Sequence, residues 1–203
     1  MSVGTYPSKL ALFQPVKVEG SILKEHFVEF RPTGQFNKGS CVEFTIPGTS
    51  ASYIDLRKTR LHIKVAIKKE DGSLVGKDDL VGLVNLSLHS LFRQVDIALN
   101  QTVITAGVGV NYCFKSILDV LLHYGHDVKE SELQSELYYK DTAGSMEATD
   151  PVSGGNAGLF ERFLLSRDTG LVTMEGPIHM DICQQRKNII NGVPINVKLY
   201  PFD

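Results

Sequence analysis

Tryptophan is absent from this sequence, and cysteine is scarce: Cys41, Cys113 and Cys183 lie far apart, with no CxxC pair. The odd count and wide spacing exclude a disulfide scaffold and fit buried thiols in a reducing compartment. Long apolar runs are missing too. No stretch approaches the ~20 residues of a membrane span. The opening MSVGTYPSKLALFQP lacks the apolar segment of a signal peptide. A soluble chain made inside the cell is therefore expected. Asn85-Leu86-Ser87 and Asn100-Gln101-Thr102 match the N-glycosylation pattern, but without a secretory route they count as chance matches to a short motif. Neither sign of charge dominates. Lys plus Arg number 21 against 23 Asp plus Glu, and the net charge of −2 exerts no global pull toward nucleic acid or membrane. There is no GxSxG, no P-loop and no internal repeat of roughly 20–50 residues.

What is present is 203 residues with an ordinary 42% apolar content, enough for one domain with a sizeable core. Period-two stripes recur. EHFVEFRP predicts a short strand from His26, ended by Pro32. CVEFTIPG turns Val42, Phe44 and Ile46 inward and stops at Pro47-Gly48. In TRLHIKVAIKKEDG, Leu61, Ile63, Val65 and Ile67 share one face, and Glu70-Asp71-Gly72 has hairpin-turn chemistry. Val95, Ile97 and Leu99 alternate up to an Asn100-Gln101 turn, with a short partner strand at 102–105. Further strands are expected at about 159–166, 171–175, 178–183 and 193–200.

One helix stands out at about 112–124. Asn111 is its N-cap candidate, Phe114, Ile117, Leu118, Leu121 and Leu122 form an apolar stripe, and Gly125 is the C′ residue. A second, shorter helix fits 131–139, where Ser131 and Gln134 have capping-box spacing and Leu133 and Leu137 stack. Residues 141–158 form a long Gly/Ser/Thr/Asp loop. Strands do not alternate one for one with helices, which argues against a parallel doubly wound sheet. The expected fold is all-β with inserted helices: an antiparallel eight-stranded jelly-roll sandwich, with the Leu/Ile/Phe stripe of the 112–124 helix laid against it. Residues 1–24 would be an extended N-terminal arm. Residues 25–203 would be a single jelly-roll domain with a long insertion at about 106–158.

Candidate chemistry is sparse. HYGHD sets His123, His126 and Asp127 close together, and a metal would need both imidazoles on one helical turn. Gly125 ends the helix between them, which leaves His123 in the last turn, complementing the helix dipole. Of His26, His62, His89, His123, His126 and His179, none makes an HxH or HxD pair on a strand, as a cupin-type 2-His-1-carboxylate site would. AGVGVNY carries Gly107 and Gly109 before the helix but Tyr112 where a dinucleotide loop wants glycine. Cys113 and His123 lie three turns apart, beyond nucleophile–base reach. Arg60, His62, Lys64 and Lys68, flanked by Arg57, Lys58 and Lys69, form a basic strand face. No aromatic residues interleave with it, so a solvated edge is favoured over nucleic-acid binding. No catalytic residue, cofactor or metal ligand is expected, and the chain points to a structural or interaction role rather than an enzyme.

Specific stretches carry a resemblance. IPGTSASYIDLRKTRLHIKVAIKKEDG, VGLVNLSLHSLFRQVDIALNQTVIT, LLHYGHDVKESELQSELYYKDTAGSME and INGVPINVKLYPF resemble the N-terminal half of the hexon-like major capsid protein of Polinton/Maverick elements and adintoviruses, from about residue 26 onward. The resemblance implies the first roll of a double jelly roll and a non-enzymatic capsid protein without cofactors. It implies trimers that tile an icosahedral shell. The partners would be further copies of the chain and other capsid proteins such as a penton, with no membrane and no nucleic acid. The destination would be the virion, after synthesis in the cytoplasm and assembly in the host nucleus or cytoplasm. The rival expectation is a lectin-like or protein-binding jelly-roll module that uses the 141–158 loop and Tyr138-Tyr139.

Overall fold

A computed structural model describes residues 22–34, 39–105 and 111–202. Among these, the chain runs β1 (Val42–Ile46), β2 (Arg60–Ala66), α1 (Ser87–Ser90), β3 (Phe92–Leu99), β4 (Thr102–Val103), α2 (Tyr112–His123), α3 (His126–Lys129), α4 (Ala157–Ser166), β5 (Leu171–Pro177) and β6 (Ile195–Pro201). Short 3-10 turns lie at Leu56–Lys58, Glu132–Glu136 and Asp181–Gln184. One antiparallel sheet has the order β1-β6-β3-β4, and a second pairs β2 with β5. Helix and strand hold nearly equal shares, 24% and 23%. The fold is therefore mixed, and the expected eight-stranded all-β jelly roll is corrected to two small sheets with helices between their strands.

The strands that form are those with one clean apolar face. In the ladders Val95 faces Leu199, Ile97 faces Val197 and Phe44 faces Val197 from the other side. Ile63 faces Met174 across the two-stranded sheet. Leu61, Val172 and Met174 from the smaller sheet join Phe92, Val95, Ile97, Ile195, Val197 and Leu199 from the larger one in a single buried cluster. The Asn100-Gln101 turn takes φ values of 46° and 70°, the left-handed pair that a tight hairpin of matching twist requires. Gly72 closes the turn after β2, donating its N–H to Lys69 O.

Three expected strands do not form. Residues 22–32 carry no regular structure and lie largely exposed; a strand there would need a ladder partner, and only Thr33, just beyond, bonds to Glu43 O. Residues 178–183 lead into the 3-10 turn at Asp181–Gln184. Residues 159–166 belong to α4. Their apolar residues are near-contiguous, so periodicity does not separate strand from helix, and Asn156 decides the matter by capping. Its side-chain Oδ1 accepts from Leu159 N at 3.4 Å and from Thr142 N at 3.2 Å, holding the 141–158 loop against the helix start. Asn156→Ala is expected to cost about 1–2 kcal/mol, read as a lower urea midpoint with an unchanged m-value.

The segment expected to be helical at 131–139 is a 3-10 turn without a side-chain cap from Ser131, although Leu133 and Leu137 are both buried. The helix expected at 112–124 is α2, but Asn111 sits at φ 62° without a side-chain cap bond. Gly125 takes φ −71°, so no left-handed glycine ends that helix. The larger correction concerns its orientation. α2 buries Tyr112, Ser116, Asp119 and Val120. It turns Phe114, Leu118, Leu121 and Leu122 outward, with Phe114 65% and Leu122 75% exposed. Apart from Ile117, which is half-buried, the apolar stripe therefore faces solvent instead of the sheets, because the inner face is taken up by Val120 and a polar network.

The proposed arm falls on residues 1–24, of which all but 22–24 lie outside the described residues, as do Gly107 and Gly109. No helix among the described residues is long and apolar enough to cross a membrane.

Candidate functional site

Three elements meet beneath α2. α1 supplies His89, the 3-10 turn at Glu132–Glu136 supplies Glu136, and the stretch after β5 supplies His179. All three are essentially inaccessible, at 0%, 1% and 1% exposure. His89 Nε2 lies 2.8 Å from Glu136 Oε2, and His89 Nδ1 lies 2.9 Å from the Tyr112 hydroxyl. That hydroxyl accepts the backbone N–H of His179 at 3.1 Å. The bonds form a consistent chain: Tyr112 O–H donates to His89 Nδ1, and His89 Nε2–H donates to Glu136. His179 stands edge-on to His89 with ring centroids 4.5 Å apart. Its Nε2 lies 3.5 Å from the same Glu136 oxygen yet has no hydrogen-bond partner among the described residues. On its other side, His179 Nδ1 lies 3.9 Å from Asp119 Oδ2, which also accepts from Lys115 and Gln184 at 3.0 Å each.

Burial works hard on these groups. It pushes the His89 imidazole below its usual range, against the opposing pull of Glu136. It pushes the Tyr112 phenol far up, so this group stays protonated. For Glu136 burial pushes upward, but the contacts with His179 and His89 outweigh it and hold the carboxyl below its ordinary value. Nearby Cys183 is a buried thiol pushed up to about 12 by desolvation, an apolar neighbour and not a nucleophile. The room for Glu136 comes from Gly176 on β5, where a Cβ would stand 2.3 Å from Glu136 Cγ. Two imidazoles and a carboxylate whose ligand atoms lie within 4.8 Å of one another make a donor set that fits a divalent cation.

None of these residues stood out in sequence as a group. His89 and Glu136 are 47 residues apart, and no motif spacing connects them. The available signal was a histidine inside an apolar context, LSLHSLF and PIHM. The residues that did stand out are not brought together. His123 pairs with Asp119 at 3.5 Å and His126 with Glu130 at 3.4 Å, each at the rim of its own helix. Cys113 is half-buried and Cys41 exposed, and all three cysteines are free. The basic face of β2 is exposed, but Arg57, Lys58, His62 and Lys69 pair with Asp55, Glu25, Glu175 and Asp79. Tyr138 is buried and Tyr139 half-buried, so neither is an open aromatic platform. Asn85 commits its side-chain amide to Tyr139 O and Asp141.

No known family profile matches the chain, and no solved structure matches it. An uncharacterized protein of Caenorhabditis elegans, F54H12.2, is 26% identical to it over 166 residues. That match covers 78% of this chain and 37% of the nematode protein, so the chain spans less than two fifths of the length of the curated relative to which it is similar.

Proposed function

We propose that this chain is a structural capsid domain, one that self-assembles into the icosahedral shell of a virus or virus-like transposable element. The observation that carries the proposal is the outward apolar stripe of α2: Phe114, Leu118, Leu121 and Leu122, all exposed. α4 separately exposes Phe160, Leu164 and Leu165 in part. A soluble monomer rarely leaves such a stripe uncovered, and contiguous apolar surface marks a contact site. The occupant we assign is a second copy of the chain. The capsid-like stretches of sequence supply the partner class, with a penton-type protein at the vertices of the shell. Burying one leucine of the stripe contributes about 1.5–3 kcal/mol, and a shell contact would exceed the ~1,600 Å² of an ordinary specific complex.

Light scattering coupled to size exclusion tests this. The native chain is expected to show a mass that rises with concentration. Leu118→Asp/Leu122→Asp is expected to stay monomeric with unchanged circular dichroism, since both side chains already face water. A native chain that remains monomeric at every concentration, alone and when joined to its downstream sequence, would overturn the proposal.

A further inference from the structure

We infer that His89, Glu136 and His179 form a buried structural site for one divalent transition-metal cation, with Zn2+ the best-matched ion. The first support is the orphaned donor. His179 Nε2 is a buried ring nitrogen, in a residue 1% exposed, that finds no hydrogen bond among the described residues while facing the carboxylate of Glu136 at 3.5 Å. An unmatched buried donor or acceptor costs about 1–3 kcal/mol, and metal ligation removes that deficit. The second support is charge. Glu136 is a buried carboxylate whose neighbours are imidazoles and a phenol. Lys115 is engaged elsewhere, by Asp119 and Asp181 at 3.0 Å each. A divalent cation supplies the missing positive charge, with Glu136 as a direct ligand and Asp119 behind His179.

The third support is geometric. Four-coordinate Zn2+ with bonds of ~2.0–2.1 Å sets its ligand atoms about 3.3 Å apart. The His179–Glu136 separation of 3.5 Å fits directly. The His89–Glu136 separation of 2.8 Å opens by about half an ångström once the proton between them leaves. Outer partners for both rings are in place. On ligation the His89 proton moves from Nε2 to Nδ1, so the Tyr112 hydroxyl, which donates to that nitrogen in the metal-free chain, becomes its acceptor, and Asp119 lies on the Nδ1 side of His179, the usual carboxylate support for a ligating imidazole. With every ligand inaccessible there is no open substrate position, so the ion braces α1, the 132–136 turn and the strand end after β5.

The inference is independent of capsid assembly, and its test reads metal, not oligomer. The full chain is unfolded in guanidinium with EDTA, refolded without metal, and titrated with Zn2+ or Co2+. One Co2+ per chain with visible d–d absorption is expected. Zn2+ at 100 times its Kd should raise Tm by roughly 5–10 °C. Uptake by the already folded chain should be slower than uptake during refolding, because the ligands are enclosed. Glu136→Gln preserves shape and hydrogen bonding and is expected to weaken binding at least about 100-fold; His179→Gln should do the same. His26→Ala/His126→Ala, at exposed positions away from the cluster, should bind as the native chain does. Absence of stoichiometric binding by a correctly refolded chain would overturn the inference, as would full binding by Glu136→Gln or loss of binding in the surface double variant.

Discussion

Arg162→Met is expected to remove about 3–5 kcal/mol of folding free energy. Arg162 is 3% exposed, yet all three branches of its guanidinium are used. Nε donates to Leu83 O at 2.8 Å, Nη1 to Tyr139 O at 3.0 Å, and Nη2 to Asp141 Oδ1 at 2.9 Å. The other Asp141 oxygen accepts from Asn85 Nδ2 at 3.0 Å, while Asn85 Oδ1 accepts from the backbone N–H groups of Leu86 and Tyr139. One fork thus joins α4, the segment before α1 and the start of the 141–158 loop. Methionine fills most of the volume but leaves the half-buried Asp141 carboxylate without its cation and Leu83 O without its donor. Losing a buried partner costs more than the pair contributed. Arg162→Lys should fall between the two, because an ammonium on a flexible stem cannot serve three fixed acceptors at once. Asp141→Asn combined with Arg162→Met should cost less than the sum of the single changes, with a coupling of about 1–3 kcal/mol. Urea titrations of the four proteins decide it. A loss under ~0.5 kcal/mol for Arg162→Met would show that the clamp does not hold the fold.

The contrast between what was legible and what was not follows from where the information lies. Strands at Val42–Ile46, Arg60–Ala66, Phe92–Leu99 and Ile195–Pro201 each write a one-sided stripe into consecutive residues, so local alternation reveals them. The Asn100-Gln101 hairpin is visible for a related reason: polar residues led by an asparagine, which tolerates left-handed backbone, interrupt the stripe. α2 shows its extent in the sequence but not its direction. Which side faces inward depends on Asp119 meeting Gln184 and His179 and on Tyr112 meeting His89, partners that lie tens of residues away. A hydrophobic stripe is an argument for burial only when nothing else competes for the inner face, and here an enclosed polar network competes. The His89–Glu136–His179 cluster was hidden by the same fact. Metal and catalytic motifs are recognisable when ligands share a turn or a strand, whereas these three come from three separate short elements.

Gly176→Ala is expected to be comparably severe, on the order of 3–5 kcal/mol with a Tm fall on the order of 10 °C. Gly176 faces Leu61 in the β2–β5 ladder, and its missing side chain is the space Glu136 occupies. An added Cβ would stand 2.3 Å from Cγ, 2.5 Å from Cδ and 2.7 Å from Oε1 of Glu136, closer than nonbonded carbon atoms approach. Glu136 cannot swing aside cheaply. His89 holds its carboxylate, and Ser135 Oγ donates to Glu175 O at 2.8 Å, fastening the 132–136 turn to β5 beside the glycine. The alanine therefore either bends the ladder or expels a buried carboxylate from its histidines. Strong non-additivity isolates this cause. Glu136→Ala removes the obstructing atoms, so Gly176→Ala on that background should cost almost nothing further, against several kcal/mol on the native background. Thermal melts of the native chain, both single variants and the double variant give the comparison. Simple addition of the two losses would mean that Gly176 matters for its backbone and not for the room it leaves the carboxylate.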